Sequence, residues 1–147
     1  MSDRDSSLQV EMLAEQWEKL LQSNKLNICT KKLAGATVVE VNILKIVQGN
    51  PDIILREISK LLSVPSSTLT SAVNRLEKRK LLKRIISERD LRSFGLALTD
   101  EGAYALEEYY KQKEIAINAM LEGFDDNEER GCFIKLFKKL VDHLTSL

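Results

Sequence analysis

The stretch that decides the fold is LREISKLLSVPSSTLTSAVNRLEKRKLLKR, residues 55–84. Its first part carries one short apolar face, formed by Leu55, Ile58, Leu61 and Leu62. Apolar residues at this spacing predict a helix. The sequence Ser-Val-Pro then interrupts the chain, and Ser66 or Ser67 is a suitable N-cap for a second helix. The segment therefore predicts two short helices that are joined by a tight turn.

The second of these helices separates apolar from polar side chains. Its predicted buried stripe comprises Leu69, Ala72, Val73 and Leu76. The small polar and cationic residues at its start and on its outward face are Ser66, Ser67, Thr68, Thr70, Ser71, Asn74, Arg75 and Lys78. Small hydroxyl groups allow a close approach to phosphates, and Asn and Arg can make bidentate contacts with base edges. This face is typical of a helix that enters the major groove of DNA, whereas an ordinary solvated helix usually carries more paired Glu and Lys.

Two strands and a charged connection follow this helix. LLKRII (residues 81–86) and FGLAL (residues 94–98) predict the strands, and SERDLRS joins them. A β-hairpin beside a recognition helix is a wing, whose tip can reach the DNA backbone or the minor groove. The candidate DNA contacts here are Arg84, Arg89 and Arg92. Asp90 is predicted to orient an arginine, because an acid that faced phosphate would be repelled.

Amphipathic patterns also occupy the two ends of the chain. The N-terminal pattern, which predicts a helix, comprises Val10, Leu13, Ala14, Trp17, Leu20 and Leu21. One C-terminal pattern comprises Ala103, Leu106, Tyr110, Ile117, Met120 and Leu121, and the other Phe133, Leu136, Phe137, Leu140, Val141 and Leu144. Together these faces exceed what a small winged helix can cover, which favours a symmetric dimer over a monomer with a larger core. The pattern of residues 37–52, TVVEVNILKIVQGNPD, fits a strand or a helix, and proline then predicts a turn.

Charge is unevenly distributed along the chain. The 147 residues are 44% hydrophobic and 30% charged with a net charge of zero, as expected for a globular protein. Residues 56–92 nevertheless carry ten basic and four acidic side chains, whereas residues 93–147 carry six and eleven. A basic middle segment indicates a polyanionic partner or, alternatively, a solvated charged face. No apolar run approaches the roughly 20 residues that span a membrane, and the polar start does not resemble a secretion signal, so we expect a cytoplasmic location.

The order of these motifs resembles the MarR family of bacterial winged-helix transcription regulators. Asp90 and Arg92 occupy the positions of the family's Asp-x-Arg pair in the wing, and Leu98, Thr99 and Gly102 those of its Leu-Thr-x-x-Gly helix start. Lys80 departs from the glycine that commonly closes the recognition helix, and Leu91 departs from a residue that is often basic.

The resemblance implies a mostly α-helical fold of the α+β class with a small β-hairpin wing. The 1–147 chain would form one MarR-like domain, with a winged helix-turn-helix at 36–102 and dimerisation helices at 8–35 and 103–147. It also implies that residues 38–47, VVEVNILKIV, form a helix. The expected function is that of a homodimeric regulator that binds a pseudo-palindromic operator in double-stranded DNA, a repressor released by a small aromatic or amphipathic effector.

Other classes of function have weaker support. The chain has one histidine, His143, and lacks a phosphate-binding loop, a nucleophile motif and metal-ligand spacing, so we expect no enzyme, metal or cofactor. Two cysteines, Cys29 and Cys132, predict free thiols. A winged helix used as a protein-interaction module is one alternative, although such a surface should expose aromatic or aliphatic anchors. A regulator that senses oxidation through Cys29 is the other.

Overall fold

The computed structural model of the protein describes residues 3–23 and 30–147. Helices dominate, and a single antiparallel pair of strands is present in these ranges, so the predicted fold class is confirmed. The chain divides into two compact units. One falls within residues 29–112, and the other comprises the described parts of residues 1–28 together with residues 113–147. The predicted winged-helix stretch, residues 36–102, lies inside the first of these units.

The unit within residues 29–112 contains the main hydrophobic core. Its elements are a short 3₁₀ helix (Lys31–Leu33), α2 (Val38–Gly49), α3 (Leu55–Leu62), α4 (Ser66–Lys78), β1 (Leu82–Ile86), β2 (Phe94–Leu98) and the first part of α5 (Asp100–Leu121). Side chains that are almost fully buried include Ile43, Leu44, Ile58, Leu69, Val73, Leu76, Leu81, Leu96 and Leu106. Each of these helices and strands contributes to one continuous apolar cluster. Burial of that cluster provides the main driving force for folding of this unit.

The N-terminus of α2 shows why the ambiguous segment is a helix. The Thr37 hydroxyl accepts a hydrogen bond from the Glu40 amide at 3.2 Å, and the Glu40 carboxylate accepts one from the Thr37 amide at 2.6 Å. This reciprocal capping box satisfies two backbone donors that a helix otherwise leaves free. It fixes α2 at its first turn, where the β-branched residues alone would permit a strand.

Helices α3 and α4 form the predicted pair with a tight turn between them. The turn begins at Ser63, which adopts a left-handed backbone conformation with φ 51°. The four residues of the predicted apolar stripe on α4 are buried. The predicted N-cap at Ser66 or Ser67 is wrong: Pro65 occupies that position without a side-chain hydrogen bond, and Ser66 is already helical. Proline is tolerated there because its fixed φ suits the entry of a helix.

The end of α4 forms a tight reversal around Lys80. The Lys80 amide donates to the Glu77 carbonyl at 2.8 Å, and the Leu81 amide donates to the Leu76 carbonyl at 3.0 Å. This is the pattern of a Schellman cap, whose turning residue is usually glycine because it is left-handed. Lys80 takes that conformation with φ 60°. Because lysine has a Cβ atom, which crowds the backbone in the left-handed region, this reversal carries strain that a glycine would avoid.

The wing is a short antiparallel hairpin that leads directly into α5. Leu82 is paired with Leu98 at its base and Ile86 with Phe94 at its outer end, and Ile54 forms an additional bridge to Gly95. Thr99 then caps α5, because its hydroxyl accepts from the Gly102 amide at 3.0 Å, and it also donates to the Lys80 carbonyl at 2.6 Å. A Cβ atom at Gly102 would overlap the Leu81 carbonyl oxygen, which explains the glycine of the predicted helix start.

The other unit consists of α1 (Asp3–Gln22), the last part of α5 and α6 (Asn127–Thr145). The Asp126 carboxylate caps α6 by accepting from the Glu128 and Glu129 amides, both at 2.9 Å. Many of its large apolar side chains are solvent-exposed in a single chain, among them Val10, Leu13, Trp17, Leu21, Ile117, Ile134, Leu136, Phe137, Leu140 and Leu144. Across the described ranges, none of the helices is long and apolar enough to cross a membrane.

Candidate nucleic-acid interface

The outward face of α4 is polar along its whole length. All eight side chains that the sequence assigns to DNA on this helix are solvent-exposed: Ser66, Ser67, Thr68, Thr70, Ser71, Asn74, Arg75 and Lys78. None of the exposed large apolar side chains of the described residues lies on α4. The helix therefore presents hydroxyls, an amide and two cations to solvent, while the four residues of its apolar stripe are buried in the core.

Arg75 is held by a buried acid on a neighbouring helix. Its Nε donates to Oε1 of Glu40 at 2.7 Å, and the Glu40 side chain is only 2% exposed. Burial by itself would raise the pKa of Glu40, but the hydrogen bonds from Thr37 and Arg75 lower it below its ordinary value. The carboxylate is therefore charged at neutral pH, and Arg75 completes a charge-assisted pair.

Arg84 on β1 contacts α4 from the side of the wing. One of its terminal nitrogens donates to the Asn74 side-chain oxygen at 2.8 Å, and the other lies 3.1 Å from a carboxylate oxygen of Glu77. These bonds join three residues of the hairpin and α4. The bond from Arg84 orients the Asn74 side chain, because its oxygen accepts from the guanidinium and its amino group therefore points away from that guanidinium.

Arg89 is tied to the body of the protein by two acids. Its guanidinium donates to a Glu57 carboxylate oxygen and to the Asp52 backbone carbonyl, each at 2.8 Å, and to the Asp52 carboxylate at 3.3 Å. The Asp52 carboxylate also accepts from the Glu88 amide at 3.3 Å. The hydrogen bond from Arg89 lowers the pKa of Glu57, which keeps the pair ionised. Arg89 thus joins the wing to the α2–α3 turn and to the start of α3, and its predicted contact with DNA would compete with these bonds.

Asp90 stabilises the turn at the tip of the wing. Its carboxylate accepts from the Ser93 hydroxyl at 2.7 Å and from the Arg92 backbone amide at 3.0 Å. These bonds, with that from Ser93 the larger influence, lower the pKa of Asp90. The prediction that Asp90 orients an arginine side chain needs correction, because it binds the backbone of Arg92 and not a guanidinium group. It positions Arg92 by fixing the turn that carries it.

Arg92 and Lys78 differ from the other predicted cations. Both are exposed, and no acidic partner within 4.0 Å is found for either in the described part of the chain. Leu91, beside Arg92, is 81% exposed, more than the other large apolar side chains of the wing, Ile86 and Phe94. The tip of the wing therefore offers one cation that is free to bind a phosphate and an apolar side chain next to it.

The sequence did not reveal the acids that position these arginines. Glu40 could have been found, because Thr37-Val-Val-Glu40 is a capping-box pattern, although that pattern predicts the cap and not the pair with Arg75. Asp52 and Glu57 carry no such signal, since they lie more than thirty residues from Arg89.

The sequence predicts free thiols at both cysteines, with thiol sensing at Cys29 as an alternative, and no metal site. Cys29 lies outside the described residues, and Cys132 is an exposed free thiol. Within residues 3–23 and 30–147, no three His, Cys, Asp or Glu side chains form a group that could hold a metal ion.

Comparison with known proteins places these features in context. Residues 34–93 match the sequence model described as MarR family. The HTH-type transcriptional repressor MdtR of Bacillus subtilis is 30% identical over 129 residues, which cover 88% of this chain and 77% of MdtR. The chain spans about half the length, 52%, of another curated relative from the same bacterium, the uncharacterised HTH-type regulator YwaE.

Solved structures resemble the protein over nearly its whole length. The YusO protein of Bacillus subtilis is 25% identical with a TM-score of 0.76, and the match covers 97% of this chain and 99% of that one. FabT of Streptococcus pneumoniae, solved in complex with DNA, has a TM-score of 0.73 at 22% identity, with coverage of 96% and 98%. The second likeness shows a shared fold.

Proposed function

Because the chain belongs to the MarR family of transcription regulators, which are not enzymes, we propose that it is a homodimeric, sequence-specific DNA-binding repressor. The resemblance inferred from the wing motif is thereby confirmed at the level of the family. The observation that carries the proposal is the polar, cationic and solvent-exposed face of α4, whose apolar stripe is buried in the core. A face of this composition suits the major groove and lacks the aromatic or aliphatic anchors of a protein-binding surface.

The proposed contacts divide between the helix and the wing. On α4, Asn74 and Arg75 would contact base edges, and the hydroxyl-bearing residues and Lys78 would contact phosphates. On the wing, Arg92 would enter the minor groove, where negative potential is concentrated. FabT was solved with DNA, which supports a nucleic-acid partner for this fold.

The proposed dimer rests on the exposed apolar side chains of α1 and α6. Leu13 is 70% exposed and Trp17 57% on α1, while Leu140 is 51% and Leu144 58% on α6. So many large apolar groups in water are unusual for a monomer, and a second copy of the chain would cover them. A two-fold dimer would also present two recognition helices to a pseudo-palindromic operator, with half-sites about one helical turn apart.

The proposed repression rests on a relative that is named as a repressor, and its proposed release rests on a depression in the surface of the unit within residues 29–112. MdtR is named as a repressor, and we infer the same action here. A depression of about 440 Å³ is lined by Thr30, Lys31, Lys32, Tyr104, Glu108 and Gln112. Lysine cations beside a tyrosine ring are suited to a small aromatic anion. Benzoate, used as a probe, should then weaken DNA binding more than the same concentration of chloride.

Selection from random duplexes tests the central proposal. The duplexes recovered with the full chain should share a pseudo-palindromic sequence, and the protein should bind that sequence as a dimer. Its affinity should fall steeply as the salt concentration rises, because lysine and arginine side chains that bind phosphates release counterions from DNA. Lys78→Ala should weaken binding to every duplex, whereas Lys139→Ala, which removes the same charge from exposed α6, should not. Retention of no duplex, or affinity that is insensitive to salt, would contradict the proposal.

A further inference from the structure

We propose that Glu40, a buried residue on α2, determines the base specificity of the protein by holding Arg75 in a fixed orientation. This inference rests on the proposed function and assigns a positioning role to a residue that would not itself touch DNA. It follows from the contact between the two side chains, from the rigidity of the acid and from the part of the guanidinium that the contact leaves free.

The contact uses the inner nitrogen of the guanidinium. Glu40 accepts through Oε1 from Nε of Arg75 at 2.7 Å. In the described part of the chain, no hydrogen bond is found for the two terminal nitrogens of Arg75, and the side chain as a whole is 54% exposed. Those terminal nitrogens form the fork that can bind O6 and N7 of a guanine together. The ion pair thus orients the group while it leaves that fork accessible.

Glu40 is itself held in place from two sides. Its second oxygen, Oε2, accepts from the Thr37 amide at 2.6 Å, so each carboxylate oxygen has its own partner. The residue also lies in the first turn of α2 and is buried, as are the core residues Ile43 and Leu44 that follow it three and four positions later on the same helix. A carboxylate that is 2% exposed and bonded at both oxygens has little freedom to move. Glu40 on α2 can therefore hold the side chain of Arg75 on α4 in one position relative to α2.

The pairing of Arg75 with Glu40 has two physical consequences, which favour discrimination between bases over affinity for DNA in general. A free arginine loses much conformational entropy when it binds a base, and an arginine that is already oriented loses less. The paired charges also offset one another, so Arg75 adds little to the attraction that every phosphate backbone exerts. Its contribution is then expected at one base pair and not across all duplexes.

The test compares two affinities for each variant. One duplex is the sequence recovered by selection, and the other carries the single base substitution at which Arg75→Ala loses discrimination. Arg75→Ala should reduce the ratio of the two affinities by about 5- to 150-fold, the range of one bidentate contact. Glu40→Gln keeps the size of the side chain and the capping acceptor but removes the charge that binds Arg75. It should lower the ratio by at least about threefold, through weaker binding of the recovered duplex.

Three further variants separate orientation from stability. Thr37→Val breaks the same capping box without touching Arg75, and it should leave the ratio unchanged even where the protein melts earlier. Glu40→Gln combined with Arg75→Ala should lower the ratio no further than Arg75→Ala alone, because Glu40 acts through that arginine. Should Glu40→Gln fail to fold, Arg75→Lys replaces it: lysine keeps a charge for Glu40 but lacks the fork, so stability should persist while discrimination falls to the level of Arg75→Ala.

Several outcomes would overturn the inference. Equal loss of discrimination in Thr37→Val would show that Glu40 acts only by capping α2. Tighter binding of both duplexes by Glu40→Gln would show that the acid withholds Arg75 from DNA, and an unchanged ratio would show that it has no role in recognition. Retained discrimination in a folded Arg75→Lys variant would show that the fork is not used. Failure of the wild type to bind any duplex overturns the proposed function as well, and so is distinct from these results.

Discussion

Arg89 and Arg92 lie three residues apart in the wing, but we expect their removal to have different consequences for DNA binding. Arg89 donates to Asp52 and Glu57, and it joins the wing to the rest of its unit. The Arg92 side chain has no such acidic partner among the described residues. Arg92→Ala should therefore remove a contact with phosphate or the minor groove. Arg89→Ala should loosen the wing and leave two acids without their cation.

The salt dependence of binding gives the size of the difference. Each phosphate that a cation neutralises contributes about −0.9 to the slope of log affinity against log salt. Loss of Arg92 from both protomers of a dimer should flatten this slope by about 1.8. Between 50 and 200 mM salt, the ratio of wild-type to variant affinity should then shrink by roughly twelvefold. For Arg89→Ala the corresponding change should stay within about threefold, because the charge of that arginine is already paired with Asp52 and Glu57.

Fluorescence anisotropy titrations at several salt concentrations measure these slopes, and hydrogen exchange of residues 87–93 reports the freedom of the wing. Exchange should become faster in Arg89→Ala, since the ion pairs that hold the hairpin are absent, and should change little in Arg92→Ala. A slope for Arg89→Ala as flat as that for Arg92→Ala would show that Arg89 leaves its acids to bind DNA. Unchanged affinity in Arg92→Ala would remove the tip of the wing from the interface.

Three other perturbations test separate parts of the structure. Lys80→Gly should raise the free energy of unfolding by roughly 1 kcal/mol, because glycine adopts the left-handed conformation without strain. This gain should exceed the additional conformational entropy that glycine loses on folding. A urea midpoint that does not rise would contradict the expectation. Asp90→Ala should weaken DNA binding although it removes a negative charge, because the turn that carries Arg92 loses two hydrogen bonds, and tighter binding in a titration would refute the role of Asp90. Leu13→Glu should convert the dimer to a monomer by placing a charge in the proposed interface, and an unchanged molar mass in light scattering would exclude α1 from it.

Most of the fold could be predicted because its signals are local. The apolar stripe of α4 is visible as a spacing in the sequence, and the two strands of the wing are bounded by the charged connection. The segment that begins at Val38 was ambiguous by periodicity, since its β-branched residues suit both structures. The capping box formed by Thr37 and Glu40 resolves that ambiguity, and its pattern was present in the sequence. The start of α4 was misplaced by one or two residues because a serine near a proline suggested a cap that the backbone does not use.

The exposed residues of the candidate site could also be predicted, but their partners could not. Exposure follows from the helical period, which assigns Arg75 to the outward face of α4 whatever the rest of the chain does. The partner of Arg75 depends on how α2 crosses α4, and that of Arg89 on where the α2–α3 turn meets the wing. Both are properties of tertiary packing, and neither acid is near its arginine in sequence.

These partners change how the basic segment should be understood. The excess of cations between residues 56 and 92 suggests a surface that attracts DNA through its total charge. Of the five cations predicted to reach DNA, however, Arg75, Arg84 and Arg89 are each bound to an acid, and only Lys78 and Arg92 are without one in the described ranges. A paired arginine contributes orientation more than attraction, because its charge is already offset before DNA arrives. We therefore expect the helix and the wing to separate two tasks: Lys78 and Arg92 would provide affinity that falls with salt, and the paired arginines would provide geometry that persists in high salt.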